Sequence, residues 1–104
     1  MTFDELLALL KSTGVLFAAA GWETEPAEDH GVLRYNAFDP LFADNKVVAM
    51  TKEAVIILTS AGSGEESAAK ITAALNSTDI TWWLESVDYN EDTRQNEWVW
   101  AAML

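Results

Sequence analysis

The stretch KVVAMTKEAVIILTSAGSGEESAAKITAALN, residues 46–76, decides the fold class. Its first part, residues 46–59, is rich in β-branched residues and predicts one long strand, bent or bulged along its length. Glycines at 62 and 64 break this strand, and Ser63 with Glu66 forms a capping box that predicts the start of a helix. Ala68, Ile71 and Leu75 then follow at helical spacing, which predicts an amphipathic helix that ends near Asn76. A strand and a helix joined by a short turn therefore form the middle of the domain.

The residues before this stretch predict a helix and two short strands. Thr2 and Glu5 form a first capping box, followed by an apolar stripe of Phe3, Leu6, Leu7 and Leu10. Lys11 suits the negative end of this helix, and Gly14 can adopt the left-handed conformation that ends it. Apolar segments at 15–22 and 32–38 predict strands on either side of an acidic loop, residues 23–30. A connection then runs from Asp39-Pro40 to Asp44-Asn45.

The residues after the stretch predict a hairpin of two aromatic strands. Residues 80–89 alternate, so Trp82 and Trp83 must point to opposite faces. Residues 90–96 form a polar turn, and Trp98, Trp100 and Ala102 share one face of the last strand. The predicted order is α-β-β-β-α-β-β, an α+β fold with a mostly antiparallel sheet and two helices packed on one face. We expect residues 1–104 to form a single domain.

Composition excludes several classes of protein. The formal net charge is −11, from 17 acidic and 6 basic residues, and the bases are scattered along the chain. Binding to a phosphate backbone needs clustered Lys and Arg, so direct sequence-specific binding to nucleic acid is not expected. The chain has no cysteine, which excludes disulfides, thiolate metal sites and a Cys nucleophile. The apolar runs are short and the N-terminus lacks a basic leader, so we expect neither a membrane partner nor a signal peptide.

The residues that could carry chemistry do not form a recognisable catalytic or metal-binding motif. His30 is the only histidine, no G-x-S-x-G motif accompanies it, and its acidic surroundings predict an exposed loop residue. The glycine-rich turn at 61–66 lacks the lysine of a phosphate-binding loop. The acids of the 23–30 loop lack the spacing of a calcium loop, and Glu85 and Asp88 are predicted on opposite faces of a strand. We therefore expect no catalytic residue, no bound metal and no cofactor, and hence not an enzyme.

The tryptophans are the most unusual feature of the sequence. Most such rings in a small domain belong to the core or to cross-strand pairs. A subunit interface is the alternative, because Trp and Tyr are enriched at interfaces. With large apolar side chains on both faces of the last two strands, self-association is the expected consequence.

In order and pattern, the chain resembles the small tail-completion proteins of bacteriophages and prophages, which include tail terminators and head–tail joining proteins. The resemblance is carried by the N-terminal MTFDELLALLKSTGV, by FDPLFADNK at residues 38–46 and by the long strand that follows. It continues in ITWWLESVDYNEDTRQNEWVW, residues 80–100, where an acidic turn precedes an aromatic strand. The Ala- and Trp-rich composition and the acidic 23–30 loop depart from the family pattern.

The resemblance implies a structural role in virion assembly. Proteins of this family form a ring, commonly of six subunits, that caps the tail tube and joins it to the head. The implied partners are other copies of the chain and the tail tube or head-completion proteins, in the host cytoplasm during assembly and then in the virion tail. The residues that we expect to contact neighbouring subunits or the tube come from the 39–46 segment and the aromatic strands; they are Asp39, Leu41, Phe42, Asp44, Lys46, Trp83, Trp98 and Trp100.

Two other functions remain open on the sequence alone. An acidic inhibitor that mimics DNA would account for the charge, but it needs its carboxylates in a row on one face, whereas several acids here lie in predicted loops and turns. A small protein-binding module would account for the exposed aromatic residues. A small enzyme would need a polar pocket, which one histidine and no cysteine do not supply.

Overall fold

The computed structural model describes residues 1–35, 41–43, 46–49 and 53–104, with the main chain alone at 41–43 and 46–49. Within these ranges the chain forms two helices and seven strands. In chain order they are α1 (Phe3–Lys11), β1 (Leu16–Ala19), β2 (His30–Tyr35), β3 (Leu41–Ala43), β4 (Lys46–Ala49), β5 (Glu53–Ser60), α2 (Glu65–Asn76), β6 (Trp82–Asn90) and β7 (Gln95–Met103).

Five of the described strands form one sheet in the order β1-β2-β5-β7-β6. The pairs β2–β5, β5–β7 and β7–β6 are antiparallel, while β1 runs parallel to β2. The predicted α+β fold with two helices and a mostly antiparallel sheet is therefore confirmed, and the helices and the strands of this sheet follow one another in the predicted order α-β-β-β-α-β-β. The short strands β3 and β4 pair with each other in a separate two-stranded sheet.

The prediction of a single strand over residues 46–59 is wrong. Residues 46–49 form β4 and pair with β3, whereas residues 53–60 form β5 at the centre of the main sheet. In β5, buried and half-buried residues alternate strictly, as expected for a strand that is covered on one face. The apolar composition of 46–59 indicated strand throughout, but composition does not show which partner each part will pair with.

Both helices pack on one face of the sheet and close the core there. Leu6 and Leu10 of α1 and Ile71 and Leu75 of α2 are fully buried. They meet the alternate sheet residues that point the same way, namely Leu33, Ile56, Leu58, Trp100 and Ala102. Burying one such Leu or Ile side chain contributes about 2 kcal/mol, so this layer is the main stabilising element of the fold.

The first capping box is confirmed. The Glu5 N–H donates to the Thr2 hydroxyl at 3.1 Å, and the Thr2 N–H donates to Glu5 Oε1 at 3.0 Å. Hydrogen bonds from the Thr2 backbone and side chain hold the pKa of the Glu5 carboxyl below its ordinary value. Because the folded-state pKa is lowered, the stabilisation from Glu5 is present above the ordinary Glu pKa. It is lost as the pH falls through the lower folded value.

Replacing Thr2 with alanine is expected to lower the free energy of unfolding by about 1 kcal/mol, because the first turn of α1 loses a hydrogen-bond acceptor. For a domain of this length that loss corresponds to a fall in Tm of about 5 °C, which differential scanning calorimetry can measure at neutral pH. Thr24→Ala, at an exposed position of the 23–30 loop, is the matched control and should change stability by less than about 0.5 kcal/mol. Equal losses for the two variants would contradict the role of the cap.

The second capping box is not formed. Gly64 is the N-cap of α2, with a left-handed φ of 75° and no side-chain cap, while the Ser63 hydroxyl accepts from the Glu65 N–H at 3.3 Å. The Trp98 indole N–H donates to the Ser63 carbonyl at 2.9 Å. A Cβ on Gly64 would lie 2.9 Å from Trp98 Nε1, so the glycine is needed both for its φ and for the space that this ring occupies.

Two predicted boundaries near the N-terminus also differ. Strand β1 covers only 16–19 of the predicted 15–22, because Ala20 adopts a positive φ of 67° that ends the strand. Strand β2 begins two residues before the predicted 32, at His30. The prediction of an exposed loop histidine is wrong, since His30 is 2% exposed.

Candidate functional site

The face of the sheet opposite the helices, here called the outer face, carries an apolar centre. Strand alternation places Val32, Val55, Ile57 and Val99 on this face, and each of them is half-buried. No helix within the described ranges covers them. Half-buried β-branched side chains at the centre of a sheet are typical of a surface that a partner covers.

Trp83 is the largest side chain on the outer face. It lies opposite Ala101 in the β6–β7 register, and Ala101 is buried although it also points away from the helices. The indole N–H of Trp83 donates to Glu85 Oε1 at 2.5 Å. Trp83 is 37% exposed, so one part of it shields Ala101 and the other faces outward. This combination of a fixed orientation and exposed aromatic area is characteristic of an interface anchor.

A β-bulge at Glu85 changes which residues of β6 face the helices. Leu84 pairs with Trp100, but the next pair is Ser86 with Val99, so Glu85 is the extra residue. After the bulge, Asp88 pairs with Glu97 on the outer face, and Glu85 lines the same shallow depression there as Ser86 and Val99. The prediction that Glu85 and Asp88 lie on opposite faces is therefore wrong, because strict alternation fails at a bulge.

Because of the bulge, Val87 and Tyr89 lie on the same helix side of β6 as Leu84. Leu84, Val87 and Tyr89 are 45%, 46% and 56% exposed. Val87 pairs with Trp98, which borders a groove lined along α2 by Ala69, Thr72 and Ala73. The small alanine side chains on this side of α2 leave part of the Trp98 ring and the neighbouring β6 side chains exposed. A second apolar surface therefore runs along the edge strand of the sheet.

Acidic residues surround both apolar surfaces. Glu85 and Asp88 lie on β6, Glu91 and Asp92 in the hairpin turn, and Glu97 on β7. The only base in this hairpin, residues 82–103, is Arg94 in the turn. The hairpin is therefore apolar along its length and negative around its border, which favours a partner segment that is apolar and basic.

The predicted interface residues lie in different parts of the structure. Trp83 lies on the outer face, as an interface residue would. Trp98 is half-buried against the start of α2, and Trp100 is 1% exposed within the core, so Trp100 is not available to another subunit. Leu41 and Phe42 lie in β3 and Lys46 begins β4, whereas Asp39 and Asp44 lie outside the described residues.

His30 occupies an environment that sequence reasoning missed. Its Nδ1 lies 2.9 Å from the Glu28 carbonyl, its Nε2 lies 3.7 Å from Glu25 Oε1, and its ring meets Trp22 edge-on at 6.2 Å. Within the described residues Nε2 has no hydrogen-bond partner. The Trp22 indole N–H donates to the Gly31 carbonyl at 3.1 Å, which holds the acidic loop over the histidine. No local sequence signal indicates this loop closure.

Asp29 makes the second cluster of polar contacts. It accepts the Ser60 hydroxyl at 2.6 Å and the Ser67 hydroxyl at 2.7 Å. Ser60 in turn accepts the Gly62 N–H at 3.1 Å. These bonds join the acidic loop to the end of β5 and to the first turn of α2. Each carboxylate oxygen accepts one hydroxyl, so the cluster links three segments by hydrogen bonds and has a structural role.

The part of the chain that the structure describes contains no group of three or more His, Cys, Asp or Glu residues placed to hold a metal ion. Its helices are also too short or too polar to cross a membrane. No protein-family model and no curated protein matches the sequence.

Proposed function

We propose that this protein is a structural subunit that forms or joins a ring at the end of a phage or prophage tail tube, as a tail-completion or head–tail joining protein. The observation that carries the proposal is the uncovered apolar surface on both sides of β6. One side presents Trp83 and the outer face, and the other presents Leu84, Val87 and Tyr89. The order of elements and the segments that carry the family resemblance support the particular kind of assembly.

A ring requires contacts between two different surfaces of the same chain, since identical patches would give a closed dimer. The outer face and the edge of β6 are adjacent but chemically distinct, one built from β-branched residues and Trp83 and the other from an open strand. Exposed Trp and Tyr at such positions are what subunit interfaces favour. The proposed partners are further copies, commonly six in a ring, and the tail tube or head-completion proteins. The proposed location is the host cytoplasm during assembly and then the virion tail.

The charge of the chain suits a ring through which DNA passes. With a net charge of −11, a lumen lined by these subunits repels phosphates and lowers the sticking of DNA to the ring. The acids do not favour a DNA mimic, because most of those in the described residues are divided between the starts of α1 and α2, the 23–30 loop and the β6–β7 hairpin. A mimic needs them in one phosphate-like row.

The environment of His30 also supports a structural role. A catalytic histidine needs a proton donor or acceptor on substrate within reach of its free ring nitrogen. His30 is buried beneath Trp22 and the acidic loop, and its Nε2 is near only a carboxylate among the described groups. Its burial is explained by packing of the loop against the sheet.

Native mass spectrometry and light scattering over a range of concentrations are expected to show a closed oligomer, and electron microscopy is expected to show it as a ring. Trp83→Ala should raise the dissociation constant about 30-fold, which corresponds to the 2 kcal/mol typical of an aromatic hot spot. The matched control is Trp22→Ala, on the loop that covers His30, which should leave the oligomer mass unchanged. A chain that remains monomeric at all concentrations and also fails to bind purified tail tubes would overturn the proposal.

A further inference from the structure

Strand β6 is an open edge of unusual length. It runs for nine residues, pairs with β7 on one side, and pairs with no described strand on the other. Its helix-side residues Leu84, Val87 and Tyr89 are about half exposed. An exposed edge of this length with apolar side chains is a template for another strand, and proteins normally shorten, charge or cover such edges. The bulge at Glu85 and the two carboxylates of β6 protect part of this edge. The three exposed apolar side chains remain along it, so a strand of complementary charge can still add there.

The two-stranded sheet of β3 and β4 is a small element that would be stabilised by a further strand. It pairs strands of three and four residues, and neither pairs with a strand of the main sheet within the described ranges. A two-stranded hairpin is at best marginally stable in water, and it gains stability when further strands or a packed face are added. The free edge of β6 on another copy of the chain would supply the further strands and a packed face.

Charge selects which strand adds to β6. Strand β6 contains Glu85 and Asp88 and no Lys or Arg, so pairing two β6 strands would bring carboxylates together. In the sequence, β3 lies between Asp39 and Asp44, which makes it a poor partner for an acidic edge. Strand β4, with the sequence KVVA, begins with a lysine and is otherwise apolar. Of the two, β4 has the composition that complements β6.

We propose that β4 of one copy adds to the free edge of β6 in a second copy, so that the two-stranded sheet of the first continues the five-stranded sheet of the second. This inference rests on the ring proposed above and specifies which segment of the neighbouring copy contacts the β6 edge. The donor and acceptor strands lie at different places in the chain, so each copy can donate to one neighbour and accept from the other. That is the arrangement from which a closed ring is built. The added strand also covers Leu84, Val87 and Tyr89.

The absence of cysteine from the sequence allows a direct test by disulfide formation. Cysteines are introduced singly at each of the four positions of β4 and, in separate variants, at positions 84–88 of β6. Equal amounts of one variant of each kind are mixed at millimolar concentration and oxidised. At least one combination is expected to give a covalent dimer, since paired strands bring Cα atoms within disulfide range. With both cysteines in one chain, the same combination should give a ladder of covalent oligomers that ends at the size of the ring.

The control combines the β4 cysteines with Lys11→Cys, at the exposed end of α1, and should give no covalent dimer. Covalent dimers that form from the β6 single-cysteine variants alone, in higher yield than in any mixture with a β4 variant, would show that two β6 edges pair with each other, which overturns the inference. A double variant that cross-links only within one chain would overturn it as well. No cross-link in any mixture would also overturn it, and light scattering of the same samples then separates two cases. A ring that persists leaves the proposed function standing with a different contact, whereas a monomer that also fails to bind tail tubes removes both.

Discussion

Trp100→Ala is expected to lower the free energy of unfolding by about 3–5 kcal/mol, the range for truncating a large buried aromatic residue. Trp100 is 1% exposed and is the largest fully buried side chain. In the register it lies between Ile56 of β5 and Leu84 of β6, and its ring stacks on Trp98 at a centroid distance of 6.0 Å. Its removal opens a cavity where the sheet meets the helices. Urea unfolding followed by far-ultraviolet circular dichroism measures the loss.

Trp83→Ala is the matched comparison, because it removes the same atoms from the other face of the same hairpin. Trp83 is 37% exposed, so less area leaves water on folding and the expected loss is no more than about 2 kcal/mol. If Trp100→Ala does not fold, Trp100→Phe leaves a smaller cavity and should give an intermediate, measurable loss. Equal losses for Trp83→Ala and the Trp100 variants would contradict the division of the tryptophans into one core residue and one surface residue.

The helices were the most predictable part of the fold because their signals are local. Thr2 and Glu5 are three residues apart and form their capping box without help from the rest of the chain. The second predicted box, Ser63 with Glu66, has the same spacing but fails. Trp98, which is 35 residues away, hydrogen-bonds the Ser63 carbonyl and lies against Gly64. A motif of the same spacing therefore gives a different cap when a distant side chain contacts the turn.

The sheet shows a similar limit. Alternation correctly grouped Trp98, Trp100 and Ala102 on one face, but both faces of β7 are apolar, so periodicity could not show which group the helices cover. The bulge at Glu85 has no sequence signal, yet it moves Val87 and Tyr89 to the helix side. The parallel pairing of β1 with β2 was not predicted either, because β1 and β2 are neighbours in sequence and local pairing favours a hairpin.

The interface role of Trp83 stays a prediction, since Trp83 is exposed, whereas Trp100 is buried in the core and cannot contact another subunit. An interface residue and a core residue have the same chemical character when both are large and aromatic, and only the packing of the helices separates them. The edge position of β6 is likewise a property of topology. It follows from the insertion of β5 and β7 between β2 and β6, which the linear order of strands did not determine.

Asp29→Ala is expected to lower the free energy of unfolding by about 2–3 kcal/mol. Asp29 accepts the hydroxyls of Ser60 and Ser67 at 2.6 and 2.7 Å, and hydrogen bonds to a charged group contribute more than neutral ones. Ser60 is 3% exposed, so its hydroxyl cannot exchange the lost acceptor for water without local opening. Asp29→Asn keeps one acceptor oxygen and should lose less. Urea unfolding at neutral pH measures the free energy of unfolding of the natural protein and of the two Asp29 variants. Glu23→Ala, at an exposed position of the same loop, is the control.

A double-mutant cycle with Ser67→Ala separates the contribution of the Asp29–Ser67 hydrogen bond from a general disturbance of the loop. If Asp29 stabilises the fold through its bonds to the two serines, removing Ser67 from the Asp29→Ala background should cost much less than removing it from the natural chain. Directly contacting groups of this kind typically couple by 0.5–3 kcal/mol. A coupling energy near zero would show that the Asp29–Ser67 bond does not stabilise the fold, so that the Ser60 bond and Trp22 hold the loop. A clear coupling would show that the acidic loop stabilises the first turn of α2. That turn lies next to Trp98, so the same hydrogen bond would help to hold the start of the helix in place.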